Sequence, residues 1–206
     1  MFITFEGIDY SGKSSQCQLL SEFLEGKGFD VLTLREPGGA KISEKIRDIL
    51  LDKDSAGMTA LTEFLLYSAA RAQLVSEIIQ PALKSGKTVI CDRFYDSSTA
   101  YQGFGRGLGI DKVETINTIS TGGLQPDLTV IVDITVEKSF ERLKLAGKLT
   151  DRMESEGAKF FEMVRQGYLK LATYEKERIK VVNGSDDINS VKRRIFEIVV
   201  ARFNIK

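Results

Sequence analysis

Four residues near the amino terminus have the types and spacing of a polyphosphate cradle. In FEGIDYSGKSSQ, residues 5–16, Gly7, Gly12, Lys13 and Ser14 fit the pattern G-x-x-x-x-G-K-[ST]. Glycines at these positions let backbone N–H groups wrap phosphate oxygens, the lysine reaches the β- and γ-phosphates, and the next hydroxyl can ligand Mg²⁺. Average residue usage yields the pattern in a chain of this size only about once in a hundred. Gly7, Ile8, Asp9, Tyr10, Ser11, Gly12, Lys13, Ser14 and Ser15 are therefore the expected loop for the phosphates of a nucleoside triphosphate. Tyr10 is the odd member, a bulky side chain where tight turns are needed. If its backbone takes φ > 0, the strain costs roughly 1 kcal/mol or more.

A second cluster, DRFYDSS, starts at Asp92. Placed at the end of a strand beside the loop, Arg93 can grip a phosphate through two hydrogen bonds and Asp92 can orient a hydrated metal. A GTP-dependent switch should carry N-K-x-D, but no Asn in the chain is followed by Lys. A hydrolytic motor usually sets a second acid after its metal-binding Asp. Here Asp92 precedes Arg93 and Asp133 precedes Ile134. A site without a water activator suits transfer to an acceptor other than water, so a small-molecule kinase leads.

Composition narrows the classes further. With 29 basic and 29 acidic residues the chain lacks the basic excess expected of a nucleic-acid or membrane-surface protein. No histidine is present and the only cysteines are Cys17 and Cys91, which removes zinc and histidine-based nucleophilic chemistry and leaves two small core residues. The start MFITFE reads as a strand rather than a leader, and runs such as LTVIV are too short to span a bilayer. A soluble cytoplasmic protein is expected.

These groups need a scaffold, and the periodicity supplies one. Apolar runs at 2–5, 30–34, 88–91, 128–134 and 179–182 read as strands, several of them apolar on both faces as in a helix-covered parallel sheet. Helical spacing separates them, as in Val136, Phe140 and Leu143, or Ile188, Val191, Ile195 and Ile198. The expectation is an α/β, doubly wound, five-stranded parallel sheet with helices on both faces, one domain over residues 1–206. Ligands in such folds sit beyond the carboxyl ends of the strands. Two segments there break the pattern: the Gly-, Ser- and aromatic-rich 94–109, and the charged 141–157.

With REPGG (35–39), LLYSAARAQL (65–74), CDRFYDSSTAYQGFGRGLG (91–109), GLQPDLTVIVDI (123–134) and DRMESE (151–156) added, the chain resembles thymidylate kinases over nearly its whole length. The pairing of DRFYDSSTAYQG with REPGG is far more specific than the phosphate loop. The resemblance implies a P-loop NTPase-type kinase with a short helical lid at about 141–157, which phosphorylates dTMP to dTDP with ATP and Mg²⁺ for dTTP synthesis. It implies acceptor contacts from Asp9, Glu36, Pro37, Arg47, Tyr67, Arg71, Arg93, Ser98, Tyr101 and Gln102. Tyr67 would stack on thymine, Arg71 contact the base or its phosphate side, Ser98 and Gln102 the pyrimidine edge, and Tyr101 deny space to a 2′-hydroxyl. Arg47 and Arg93 would hold the acceptor phosphate.

Lys13, Arg93, Asp9 and the lid cation Arg152 would be the catalytic set, with Lys144, Lys148 and Arg152 on one helical face. Ser14, and Asp92 through water, would hold the metal, and Asn183, Gly184 and Ser185 would border adenine. A homodimer is implied by analogy. Relatives with Arg at the Tyr10 position supply charge from the loop, and others with Gly take it from the lid; a tyrosine, neutral at pH 7, fits the lid option. Ser15, Ala40 and Ser43 also depart from the usual Thr, Thr and Gly. Two alternatives stay open: a kinase for another nucleoside monophosphate or deoxynucleoside, and a degenerate nucleotide-binding module.

Overall fold

The structure is a computed structural model that describes residues 1–147 and 150–206. Strands β1 (Phe2–Glu6), β2 (Val31–Arg35), β3 (Thr88–Asp92), β4 (Leu128–Asp133) and β5 (Ile179–Asn183) fall where the apolar runs predict them. All pair in parallel, in the order β2-β3-β1-β4-β5. Successive side chains alternate between two apolar layers. Ile3, Phe5, Val130 and Val132 pack on one side with Leu20 and Leu24 of α1 (Lys13–Gly26), while Phe2 and Ile131 point to the other. Burial on both faces is why β1, β3 and β4 read as continuous apolar runs, whereas the edge strands β2 and β5 are partly exposed. Cys17 and Cys91 are free thiols inside these layers.

Three further helices, α2 (Lys41–Leu51), α3 (Ala60–Leu74) and α4 (Gln80–Lys84), link β2 to β3, with a π-turn at Val75–Ile79 between the last two. Segment 94–109 is more regular than its composition predicts. It forms α5 (Tyr95–Ser98) and runs on through π-turns over Thr99–Gly105 towards α6 (Ile110–Thr121). Helix α7 (Val136–Ala146) follows β4, α8 (Ala158–Tyr174) precedes β5, and α9 (Ile188–Phe203) closes the chain.

The lid differs from the expected helix. Helix α7 stops at Ala146 because Gly147 takes the left-handed conformation at φ 60°, a helix terminator. Lys144, Lys148 and Arg152 therefore do not share one helical face: Lys148 lies outside the described residues, and Arg152 sits in a turn. Among the described residues no helix is long and apolar enough to cross a membrane.

Candidate active site

The carboxyl ends of β1 and β3 lie side by side, with Phe5 in register with Asp92, so the loop after each opens onto one cleft. Gly7 has φ 135°, and a Cβ there would stand 2.5 Å from the Val132 carbonyl oxygen, so only glycine allows this approach. Lys13 opens α1 and is buried, its Nζ 3.9 Å from the Asp9 carboxylate. Burial, and then Arg93, push this ammonium below its ordinary pKa. Tyr10 does adopt positive φ, at 59°. Its hydroxyl is pushed up to about 12 by burial and by the nearby Glu154 carboxylate of the lid segment. The Ser14 hydroxyl donates to the Asp92 carboxylate. Two adjacent hard oxygen donors at the mouth of a phosphate loop fit Mg²⁺, which takes few protein ligands and keeps water and phosphate oxygens.

Arg93, at φ 71°, anchors the centre. Its Nη2 donates to Asp9 at 2.6 Å and to the Tyr101 hydroxyl at 3.1 Å. Its Nη1 donates to the Gly7 carbonyl at 2.9 Å and to the Tyr168 hydroxyl at 3.1 Å. Burial works against the Asp9 charge, but Arg93 and Lys13 hold its carboxyl below the usual range. Beneath Arg93 lies Glu6, which accepts from Phe94 N–H at 2.7 Å, Ser97 at 2.6 Å and Tyr168 at 2.8 Å. Burial, then Asp96, push the Glu6 carboxyl up to about 7.

All of the expected acceptor residues meet in one cavity beside this centre: Asp9, Glu36, Pro37, Arg47, Tyr67, Arg71, Arg93, Ser98, Tyr101 and Gln102. Arg71 is fully buried rather than solvated. It donates to Glu36 at 2.9 Å, Asn117 at 3.1 Å and Ser98 at 2.9 Å. Glu36 keeps one buried oxygen unpartnered, and burial pushes its carboxyl up to about 7 against the pull of Arg71. Arg47 donates to the Pro37 carbonyl at 2.8 Å. Phe64, on the same helical stripe as Tyr67, is fully buried and does not line the cavity.

The structure does not bring Arg152 to the phosphate loop. Its Nη1 donates to Glu63 at 2.6 Å and its Nε to the Leu50 carbonyl at 2.7 Å, while Nη2 is buried with no partner among the described residues. The cation across the loop is Arg142 of α7. It donates to the carbonyls of Tyr10 and Ser11 at 3.0 Å and of Gly184 at 2.9 Å. Arg142 thus clamps the phosphate loop to Asn183, Gly184 and Ser185, where a Cβ on Gly184 would lie 3.2 Å from the Ser11 carbonyl oxygen. Sequence alone missed Glu6, Glu63, Arg142 and Tyr168. One turn before Arg142, the buried Ser139 hydroxyl donates to the Asp9 carbonyl at 2.7 Å, so α7 meets the loop at two points.

Residues 5–195 match the family model described as thymidylate kinase. A thymidylate kinase of Caldanaerobacter subterraneus is 48% identical over 198 residues, covering 96% of this chain and 94% of that one. One from Chlorobium luteolum is 47% identical over 211 residues, covering 98% of each. The crystal structure of thymidylate kinase from Ehrlichia chaffeensis superposes with a TM-score of 0.79 at 35% identity, over 97% of both chains. On its sheet order, its phosphate loop and these full-length matches, the chain belongs to the thymidylate kinase family.

Proposed function

We propose that the protein transfers the γ-phosphoryl group of ATP to the phosphate of dTMP, giving dTDP and ADP. The carrying observation is the convergence of the acceptor residues in a cavity that shares Asp9 and Arg93 with the phosphate loop. A dTMP phosphate held by Arg93 and Arg47 faces the γ-phosphate cradled by the backbone of Gly7–Ser15 and by Lys13. Positioning and fixed positive charge then supply most of the catalysis, because the transferring group carries spread negative charge and no covalent enzyme intermediate is needed. Bound at Ser14 and Asp92, Mg²⁺ would neutralise charge between the β- and γ-phosphates. Arg152 would serve as lid cation only after exchanging Glu63 and the Leu50 carbonyl for the donor phosphate. Asn183, Gly184 and Ser185 would border the adenine.

Residues 1–206 would act as one domain and pair into a homodimer. In support, Ile42 and Ile49 of α2, Leu61 and Leu65 of α3 and Ile119 of α6 are exposed, and α3 packs against both other helices. Leu65→Glu is expected to halve the molecular mass measured by light scattering.

Coupled ADP-release assays with dTMP, dUMP, UMP and dCMP test the acceptor. Turnover should be best with dTMP and weaker with dUMP, since one methyl is worth only ~1–3 kcal/mol. UMP should fail against the Tyr101 ring. Tight ATP binding without dTMP-dependent ADP release would instead make the chain a binding module, and preference for another acceptor would make it a different kinase.

A further inference from the structure

We propose that Glu63 determines base specificity: its carboxylate fixes the amide of Gln102 so that a carbonyl oxygen, not an amino group, faces the pyrimidine. This role rests on the acceptor assignment above and deepens it. Glu63 lies one turn before Tyr67 on α3 and is buried. Its Oε1 accepts from Gln102 Nε2 at 2.9 Å and from Arg106 Nε at 3.1 Å. Its Oε2 accepts from Arg106 Nη2 at 3.0 Å and from Arg152 Nη1 at 2.6 Å.

An ionised carboxylate accepts hydrogen bonds and donates none. Burial favours a protonated Glu63, yet Arg106, Gln102 and Arg152 hold its carboxyl below the usual range. Beside such a neighbour the Gln102 amide has one stable orientation, with Nε2 on Glu63 and Oε1 turned away. Gln102 lines the acceptor cavity, and Oε1 has no hydrogen-bond donor among the described residues.

Arg71 lines the same cavity, and a guanidinium only donates. The cavity therefore presents a donor from Arg71 and an acceptor from Gln102. A pyrimidine with a 4-carbonyl beside N3–H matches that pair. A 4-amino pyrimidine presents the reverse pattern and would set its amino group against the guanidinium and its bare N3 against Oε1. Sites that leave buried polar groups unpaired reject the wrong partner by on the order of ten-thousandfold.

The test is kcat/KM for dTMP and for dCMP in the wild type, Glu63→Gln, Gln102→Leu and the double variant. An amide at position 63 can donate as well as accept, which frees Gln102 to turn over. The dTMP-to-dCMP ratio of Glu63→Gln is expected to fall at least about tenfold. Added to Gln102→Leu, the same change is expected to leave the ratio alone, because the effect passes through Gln102. A ratio unchanged in Glu63→Gln, or shifted equally in both backgrounds, overturns the proposal. A wild type inactive on dTMP would instead defeat the acceptor assignment itself.

Glu63 also holds Arg106 and Arg152, so Glu63→Gln could fail to fold, and a measurement on the wild type covers that case. The Gln102 side-chain amide resonance, assigned by its loss in Gln102→Leu, should already be protected from hydrogen exchange in the free protein and stay so when dTMP is added. An amide that exchanges freely without dTMP and becomes protected only on binding would put Nε2 on the base and overturn the proposal equally.

Discussion

Two residues at the centre hold their backbones in the left-handed region without being glycine, Tyr10 at φ 59° and Arg93 at φ 71°. For Arg93 the strain is offset by hydrogen bonds to Asp9, Tyr101, Tyr168 and the Gly7 carbonyl, which fix the guanidinium between the glycine-rich loop and the adjoining cavity. An ammonium carries the same charge but cannot serve those partners in one planar array. Arg93→Lys is therefore expected to lose about a hundredfold in kcat/KM for dTMP, which steady-state assays will show; a loss under threefold would mean that charge alone suffices. Tyr10 has the Arg142 bond to its carbonyl and the nearby Glu154 carboxylate to set against its strain, on a partly exposed side chain. Tyr10→Gly should thus raise the free energy of unfolding by ~1 kcal/mol. Denaturant titration reads this directly, and a destabilised variant would show that the ring contributes more than its backbone costs.

Elements bring these residues together through close approaches that leave little slack. Helix α8 packs on the π-turns of Thr99–Gly105, the segment that turns Tyr101 and Gln102 into the cavity. At the crossing, a Cβ on Gly167 would lie 2.7 Å from Cδ2 of Phe104, 2.9 Å from Cγ and 3.0 Å from Cβ. Because the clash reaches the root of the Phe104 side chain, ring rotation cannot relieve it. Alanine gains up to ~1 kcal/mol over glycine inside a helix, whereas forced overpacking costs about 1–3 kcal/mol. Gly167→Ala should accordingly destabilise the fold by ~1–2 kcal/mol and raise KM for dTMP; a more stable variant would show that α8 can slide. The three inner strands β1, β3 and β4 were legible in the sequence because both their faces are covered, and the edge strands β2 and β5 by their β-branched and apolar residues. The π-turns were not, since the Gly, Ser and aromatic residues there break the alternation of strand and helix patterns. Tyr168 falls in the apolar stripe with Phe161, Val164 and Leu171, which hides a hydroxyl that touches both Arg93 and Glu6. Glu63 reads as an ordinary polar helix position, and only the fold surrounds it with Gln102, Arg106 and Arg152.

Across the molecule, one polar network runs from the phosphate loop under the sheet. Arg93 meets Tyr168 and Ser97, both bind Glu6, and the neighbouring Asp96 is gripped by Arg178 at 2.7 and 2.8 Å, with Thr129 of β4 beside it. Strands β1 and β4, helices α5 and α8 and the turn before β5 are thus joined through largely buried charges. Glu6 is the titrating member. Its folded-state pKa of about 7 stands above the ordinary 4.5, because burial and Asp96 outweigh Arg93, Ser97 and the Phe94 N–H. A raised value means that the folded state binds the proton more tightly than the unfolded one. The associated stability is complete below about 4.5 and is lost as pH rises through about 7. Glu6→Gln keeps an acceptor for the Phe94 N–H and a donor for the hydroxyls, but it has nothing to titrate. Between pH 5 and pH 8 the wild type should therefore lose stability relative to Glu6→Gln, by up to ~3 kcal/mol at the upper end. Comparing unfolding free energies of the two proteins at several pH values isolates this group from all others. A difference that stays flat across the range would mean that Glu6 remains in one protonation state, with its charge compensated by Arg93.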